Sequence, residues 1–315
     1  MRDARVAVIG STGAVGSVTM RILRERGFEN VRALASARSA GSTVADGTVV
    51  EEATPEALAA GEIDIALFSV GTDASRELVP HAVRGGAVAI DKSSAYRLEP
   101  GIPLVVPEVN GDRVADHDGI LANPNCCTIP LTCVLKPLHD AAGLRSVRVS
   151  TYQAASGKGA ARAEQLRQEA VEEHDVGFDW TWEGDETDEE AKIRGETRKV
   201  LELPELPISA TTVRVPVLVG HAEAVWIELE NDLSPEQAEA LLAEAPSVRL
   251  VDVPTPAASA RTDEVLVGRV RRDPAAENGL VLFLACDNLN KGAALNAVQI
   301  AERVLDTAWR PLTSA

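Results

Sequence analysis

No apolar run in this sequence is long enough for a bilayer-crossing helix. No secretory-signal pattern precedes the strand-like residues 5–9, so no leader is expected. Cysteine is scarce: four residues with no paired spacing, which points to reduced thiols and a cytoplasmic protein. Basic residues are outnumbered 31 to 48, and the net charge of −17 argues against general binding to nucleic acid or anionic membrane. Any site for an anionic ligand must then be a local basic cluster working against the overall field. Internal repeats and low-complexity stretches are also absent. What 315 residues at 45% hydrophobic content do provide is enough chain for two domains with a sizeable core.

The first domain opens with residues 5–9 (RVAVI) running into Gly10-Ser11-Thr12-Gly13-Ala14-Val15-Gly16, then an amphipathic stretch to about Arg26 and Gly27. Strand, glycine turn and helix in that order let a pyrophosphate approach a helix N-terminus. The second strand, residues 31–35, lacks the acidic residue that would bond a ribose 2′-OH. It ends instead in Ser36-Ala37-Arg38-Ser39, which suits a 2′-phosphate, so the expected cofactor is NADP. Strand-like runs follow at 63–70, 87–90 and 104–106, with helices at about 55–60 and 74–84 between the early ones. The fold class expected is α/β: a Rossmann-type, doubly wound parallel sheet whose ligands sit at the carboxyl ends of its strands. Ser69–Thr72 and Asp91–Arg97 fall at such ends, which makes Lys92 and Arg97 candidate anion contacts.

Residues 123–130 (NPNCCTIP) place two cysteines after a Pro/Asn turn and before an apolar stretch of helical length, residues 129–142, that Gly143 can stop. A helix N-terminus favours a thiolate and can hold a developing oxyanion, so Cys126 or Cys127 is a candidate nucleophile; a buried structural cysteine is the other reading.

Beyond it, residues 147–152 are strand-like and lead into a glycine loop, Gln153 to Gly159. Residues 160–173 read as a charged helix. Residues 179–190 are acidic, carry Trp180 and Trp182, and lead into a helix with Thr187 or Asp188 as N-cap and with Glu189 and Lys192 on one face. Residues 211–219 read as a strand with Arg214 in its middle, which needs an anionic partner, either a substrate carboxylate or a buried Glu. His221, in the following turn, is a candidate general acid/base. Strands at 225–229, 264–271 and 280–285, a helix at 233–245 capped by Ser234-Pro235, and an Ala-rich helix at 293–307 complete the chain.

Eight stretches, in order, carry a resemblance: residues 10–16 (GSTGAVG), 35–41 (ASARSAG), 91–97 (DKSSAYR), 123–126 (NPNC), 150–157 (STYQAASG), 196–199 (ETRK), 213–217 (VRVPV) with His221, and Asp287-Asn288 before 291–294 (KGAA). On these the chain resembles the aspartate-semialdehyde dehydrogenase family along nearly its whole length. The resemblance implies NADPH-dependent reductive dephosphorylation of L-4-aspartyl phosphate to L-aspartate 4-semialdehyde and phosphate, through a cysteine acyl-thioester, in lysine, diaminopimelate, methionine and threonine biosynthesis. It implies Cys126 as nucleophile, with Cys127 on a position the family fills with small residues. His221 would be the acid/base and Gln153 the substrate-orienting glutamine. Arg214 would grip the substrate α-carboxylate, Arg97 and Lys192 would hold phosphate, and Glu189 would meet the amino group. The cofactor site would be lined by Ser11, Thr12, Gly13, Ala14, Val15, Ser36, Arg38, Ser39, Ser156, Gly157 and Asn288. No metal is implied.

The same resemblance implies an NADP-binding domain over 1–125, completed by a helix in 288–315, and an α+β catalytic and dimerisation domain over 126–287. A homodimer or homotetramer is expected, with no nucleic-acid or membrane partner. Two departures stand out: the chain is shorter than many members between Gly159 and Glu196, and Asn290 and the doubled cysteine are small deviations near the implied site. The alternatives are a reductase of a related acyl phosphate of the N-acetylglutamyl type, whose Gly-Cys-Tyr-Pro pattern is absent, and a catalytically silent binding paralogue.

Overall fold

The structure, a computed structural model, describes residues 3–307; the last eight residues of the segment expected to complete the first domain lie outside them. The chain divides into two compact units, with the breaks at Pro124/Asn125 and Gly292/Ala293.

The first unit holds β1 (Val6–Ile9), α1 (Ala14–Glu25), β2 (Val31–Ala35), β3 (Val50–Glu52), α2 (Pro55–Ala59), β4 (Ile65–Phe68), α3 (Thr72–Arg84), β5 (Val88–Asp91), α4 (Pro107–Asn110) and β6 (Ile120–Ala122). All six strands are parallel, in the order β3-β2-β1-β4-β5-β6. β1, β4 and β5 are buried at every residue, as a parallel sheet covered on both faces requires. α1 turns Thr19, Met20, Ile22 and Leu23 inward at helical spacing. The helix Asn296–Asp306 belongs to this unit: Asn296 Nδ2 donates to Val105 O and to Asn123 Oδ1, and Arg26 pairs with Glu302.

Two expectations change here. Residues 104–106 make only an isolated bridge, Leu104 to Ala122. The bridge is made by Val105 N to Ala122 O and Ala122 N to Pro103 O, and the next pair of the ladder would need N–H groups that Pro107 and Pro124 lack; Asn110 bonds Val106 N and Leu104 O on the opposite edge. The sixth strand is instead β6, three residues long and preceded by Gly119 with φ +89°.

The second unit holds α5 (Thr128–Ala142), β7 (Leu144–Gln153), α6 (Ala160–Gln168), the small hairpin β8 (Trp182–Glu183) and β9 (Glu186–Thr187), α7 (Asp188–Leu201), β10 (Ile208–Arg214), β11 (His221–Leu229), α8 (Pro235–Glu244), β12 (Val248–Leu250), α9 (Pro256–Ser259), β13 (Val265–Arg272) and β14 (Gly279–Cys286). Its mixed sheet runs β10-β7-β11-β14-β13-β12. Alternation along β11 sends His221, Glu223, Val225, Ile227 and Leu229 to one buried face. Thr187 caps α7 in a capping box with Glu190, whose other oxygen accepts from Thr212 N and so ties α7 to β10. Residues 160–173 are not one helix: α6 ends at Gln168, and a 3-10 turn, Val171–Glu173, follows. Arg214 is the last residue of β10 rather than the middle of a strand, because the chain turns tightly after it: Val215 N still bonds Gln153 O, but Val217 N donates back to Val215 O instead of on to β7. That end position lets its head leave the sheet.

Candidate active site

Within the second unit Cys126 lies two residues before α5, half-buried, with Sγ 3.2 Å from His221 Nε2. Asn125 holds this turn in shape. Its Oδ1 accepts from Cys127 N at 2.8 Å, its Nδ2 donates to Glu189 Oε1 at 3.0 Å, and its own N–H donates to Glu196 Oε2 at 2.6 Å. The Cys127 N–H is thereby committed and is not an oxyanion donor.

His221, 1% exposed, opens β11, and its Nδ1 accepts the backbone N–H of Ala154 at 2.9 Å. That contact assigns the tautomer: Nδ1 keeps its lone pair, and the neutral ring carries its proton on Nε2, facing sulfur. The ligand atoms of Cys126, Cys127 and His221 lie within 4.8 Å of one another, a metal-like spacing. With Nδ1 taken by an N–H, however, Nε2 offers a proton and not a lone pair, which does not suit a metal.

Gln153 ends β7, buried. Its Nε2 donates to Glu189 Oε1 at 3.1 Å, and its Oε1 lies 3.4 Å from Arg214 Nη1. Arg214 also donates to Ala154 O and to Asp179 Oδ1, and its guanidinium lies over the Trp180 ring at 4.6 Å. Its anionic partner in this structure is therefore Asp179, not a Glu. Arg214 and the Lys158 ammonium hold the Asp179 carboxyl below its ordinary range against the opposing effect of burial. Glu189 is buried in the first turn of α7. Lys192 pairs with Asp188 at 2.5 Å and lies 3.8 Å from Glu189, so its nearer partner is one turn back.

A Cβ on Gly157 would stand 2.9 Å from Arg214 Nη1 and 3.0 Å from His221 Cε1, so glycine is what lets the loop approach both. Ser156 Oγ and the Asn288 amide bond each other, and Asn288 Oδ1 accepts from Gly220 N. The structure thus links Cys126, His221, Gln153, Arg214 and Glu189 in one chain of hydrogen bonds through Ala154, with Gly157 packed against His221 and Arg214 and with Ser156 and Asn288 as a separate bonded pair tied to Gly220. Sequence reading missed Asn125, Glu196, Asp179 and Glu223. For Glu223 the signal was present: two residues past His221 in a strand means the same face.

The first unit carries the remaining candidates at the carboxyl ends of its strands. Gly10 has φ +84°, and a Cβ on Gly16 would stand 2.0 Å from Gly10 O, so the turn is built for close backbone approach. Gly13 caps α1 without a side chain, leaving the first turn of Ala14 and Val15 open to an anion. Ser11 is buried with Oγ on Leu34 O, whereas Thr12 is exposed and 3.5 Å from Ser39 Oγ. Ser36 and Arg38 are exposed at the end of β2, and no carboxylate follows that strand before Ala40. This cradle and donor set fit a dinucleotide with an extra phosphate. Arg97 Nη2 donates to Lys92 O at 2.6 Å, and Lys92 Nζ donates to Thr19 Oγ1.

The chain matches the family described as semialdehyde dehydrogenase, NAD binding domain, over residues 5–117, and its dimerisation domain over residues 135–291. The aspartate-semialdehyde dehydrogenase of Corynebacterium melassecola is 45% identical, over 94% of this chain and 98% of its own. Aspartate semialdehyde dehydrogenase II of Vibrio cholerae, solved in complex with ASA, is 37% identical with a TM-score of 0.91, covering 97% of this chain and 99% of that one. The Candida albicans enzyme, solved with NADP, is 25% identical with a TM-score of 0.79, covering 96% of this chain and 99% of that one.

Proposed function

The chain belongs to the aspartate-semialdehyde dehydrogenase family, and from that premise we propose how its own residues carry out NADPH-dependent reductive dephosphorylation of L-4-aspartyl phosphate. Cys126 is the nucleophile. The observation that carries this is the 3.2 Å contact from Sγ to a histidine whose far nitrogen is fixed by Ala154 N–H. In that tautomer His221 donates Nε2–H to sulfur and steadies a thiolate.

The thiolate attacks the acyl carbon, the C–O bond to phosphate breaks, and Cys126 is left as an acyl-thioester. NADPH, when bound, would supply the hydride that reduces this thioester. As the carbon becomes tetrahedral, the hydrogen bond from His221 Nε2–H shifts from sulfur to the developing oxyanion, and collapse to the aldehyde returns the electron pair to Cys126. His221 thus acts as a hydrogen-bond donor and gives up no proton, since Nδ1 carries none and the loss of Nε2–H would leave an imidazolate.

Arg214 grips the substrate α-carboxylate with the guanidinium edge that Asp179 holds here, so Asp179 yields its place when substrate enters. Gln153 orients the acyl group and Glu189 meets the substrate ammonium. Lys192 and Arg97 are the phosphate contacts. Thr12, Gly13, Ala14 and Val15 would hold the pyrophosphate, Ser36, Arg38 and Ser39 the 2′-phosphate; Ser11 supports the turn through Leu34, and Ser156, Gly157 and Asn288 are further cofactor contacts. The match to a dimerisation domain supports a homodimer or homotetramer. The four cysteines are all free, which supports a cytoplasmic setting. Among the described residues no helix is long and apolar enough to cross a membrane.

The test is phosphate-dependent reduction of NADP by L-aspartate 4-semialdehyde, run beside N-acetylglutamate semialdehyde. Turnover only with the acetylated aldehyde would move the substrate, and none with either would leave a silent paralogue.

A further inference from the structure

Asp179 occupies the same edge of Arg214 that a substrate carboxylate takes. Nε and Nη2 of Arg214 both reach Asp179 Oδ1, each at 3.3 Å. The second oxygen belongs to another cation, since Asp179 Oδ2 lies 3.1 Å from Lys158 Nζ. Asp179 therefore meets the guanidinium with one oxygen at the long end of hydrogen-bond range, where a ligand carboxylate free to turn would use two in parallel. Arg214 does not depend on this contact for its place. Its Nη1 donates to Ala154 O at 3.0 Å and reaches Gln153 Oε1 at 3.4 Å, and the Trp180 ring covers the guanidinium at 4.6 Å. Nor does Asp179 depend on Arg214, because the half-exposed Lys158 ammonium stays beside it. The carboxylate sits on the loop before β8, which is pinned on either side of it. Gly177 and Arg214 exchange backbone N–H bonds, Asp188 N donates to Thr181 O, and Thr181 N donates to Asp188 Oδ1.

We propose that Asp179 is a specificity-determining residue, an internal competitor for the edge of Arg214 that receives a ligand's α-carboxylate. The inference rests on the role given to Arg214 above. With no ligand present Asp179 balances the charge of Arg214, whose side chain is only 8% exposed. A ligand with its own carboxylate replaces that charge and adds a second oxygen. A ligand without one would leave the guanidinium unbalanced, so it does not displace Asp179. The exchange also sets a threshold on affinity. With Asp179 in place about nine-tenths of the time, the apparent Kd is about tenfold above the intrinsic value.

The experiment is calorimetric titration of the intact enzyme with L-2-aminobutyrate, which keeps the α-carboxylate and ammonium of L-aspartate 4-semialdehyde and has a methyl group in place of the aldehyde. Parent, Asp179→Asn, Asp185→Asn, Arg214→Met and the double variant Asp179→Asn/Arg214→Met are compared. Asp179→Asn should tighten binding about tenfold. Asp185→Asn removes the same charge from an exposed turn of the same segment and should stay within about twofold of the parent. In the Arg214→Met background Asp179→Asn should bring no tightening. Unchanged or weaker binding by Asp179→Asn overturns the proposal, as does equal tightening by Asp185→Asn or tightening that survives without Arg214. Should Asp179→Asn fail to fold, Asp179→Ser carries the same expectation and the same refutation. Parental affinity in Asp179→Asn with weakened binding in Arg214→Met defeats this inference alone; parental affinity in Arg214→Met defeats the role given to Arg214 and this inference with it.

Discussion

The backbone N–H of Ala154 donates to Nδ1 of His221 at 2.9 Å, and this one bond decides which hydrogen-bonding face the ring shows to Cys126. Ala154 has φ −67° and ψ 152°, values that proline adopts, so Ala154→Pro deletes the N–H without straining the backbone, but its Cδ takes the place of that hydrogen and pushes the imidazole off its present position. The variant should lose about tenfold or more in kcat while the KM for NADP stays within about twofold. Steady-state kinetics checks this. An unchanged kcat would remove Ala154 from the account.

Gly157→Ala places a methyl 2.9 Å from Arg214 Nη1 and 3.0 Å from the His221 ring. Both neighbours are side chains that can shift, so stability should change by less than about 1 kcal/mol while kcat/KM falls about tenfold or more. Thermal unfolding and kinetics, measured side by side, separate the two effects. A large loss of stability would make the glycine a folding requirement instead.

Arg38 stands exposed at the end of β2, free of carboxylates on that turn. Arg38→Ala should raise the KM for NADP by about 10- to 100-fold, the worth of charge-assisted bonds to a phosphate, and leave the KM for NAD nearly unchanged. Equal losses for both nucleotides would place Arg38 away from the 2′-phosphate.

Burial pushes the Lys92 ammonium down from 10.5 to about 7, against the opposing pull of Asp91. The unfolded chain therefore holds more protons than the folded one between about pH 7 and 10.5, so this group adds stability as pH rises through that window and loses it as pH falls. Lys92→Met removes the dependence. The melting temperature of the variant relative to the parent should be highest near pH 7 and should decline towards pH 10. A difference constant across that range would mean that Lys92 titrates normally.

The first unit was legible in the sequence wherever apolar residues ran unbroken: β2 falls at the expected residues, and β1, β4 and β5 differ only at their ends. β6 was not legible. Three residues carry no periodicity, and the competing run at 104–106 stops after one bridge because Pro107 and Pro124 lack the N–H groups that the next pair would need, a pairing visible only once the two segments are set side by side. Arg214 was read as needing an anion, which it has, but Asp179 comes from a loop 35 residues earlier that no spacing rule connects to it. Asn125 and Glu196 escaped for the same reason, since their partners lie 64 to 71 residues apart in sequence. The proposed roles of Cys126 and His221 came from the local turn and from the family likeness. The tautomer that gives their contact its direction could come only from the fold.

The most direct measurement is to mix the enzyme with L-aspartate 4-semialdehyde and NADP without phosphate, quench in acid, and map the acylated residue by mass spectrometry. An aspartyl thioester on Cys126, discharged when phosphate is added and absent from Cys126→Ala, is the predicted result. An adduct on Cys127, or full turnover by the Cys126→Ala variant, would contradict the account.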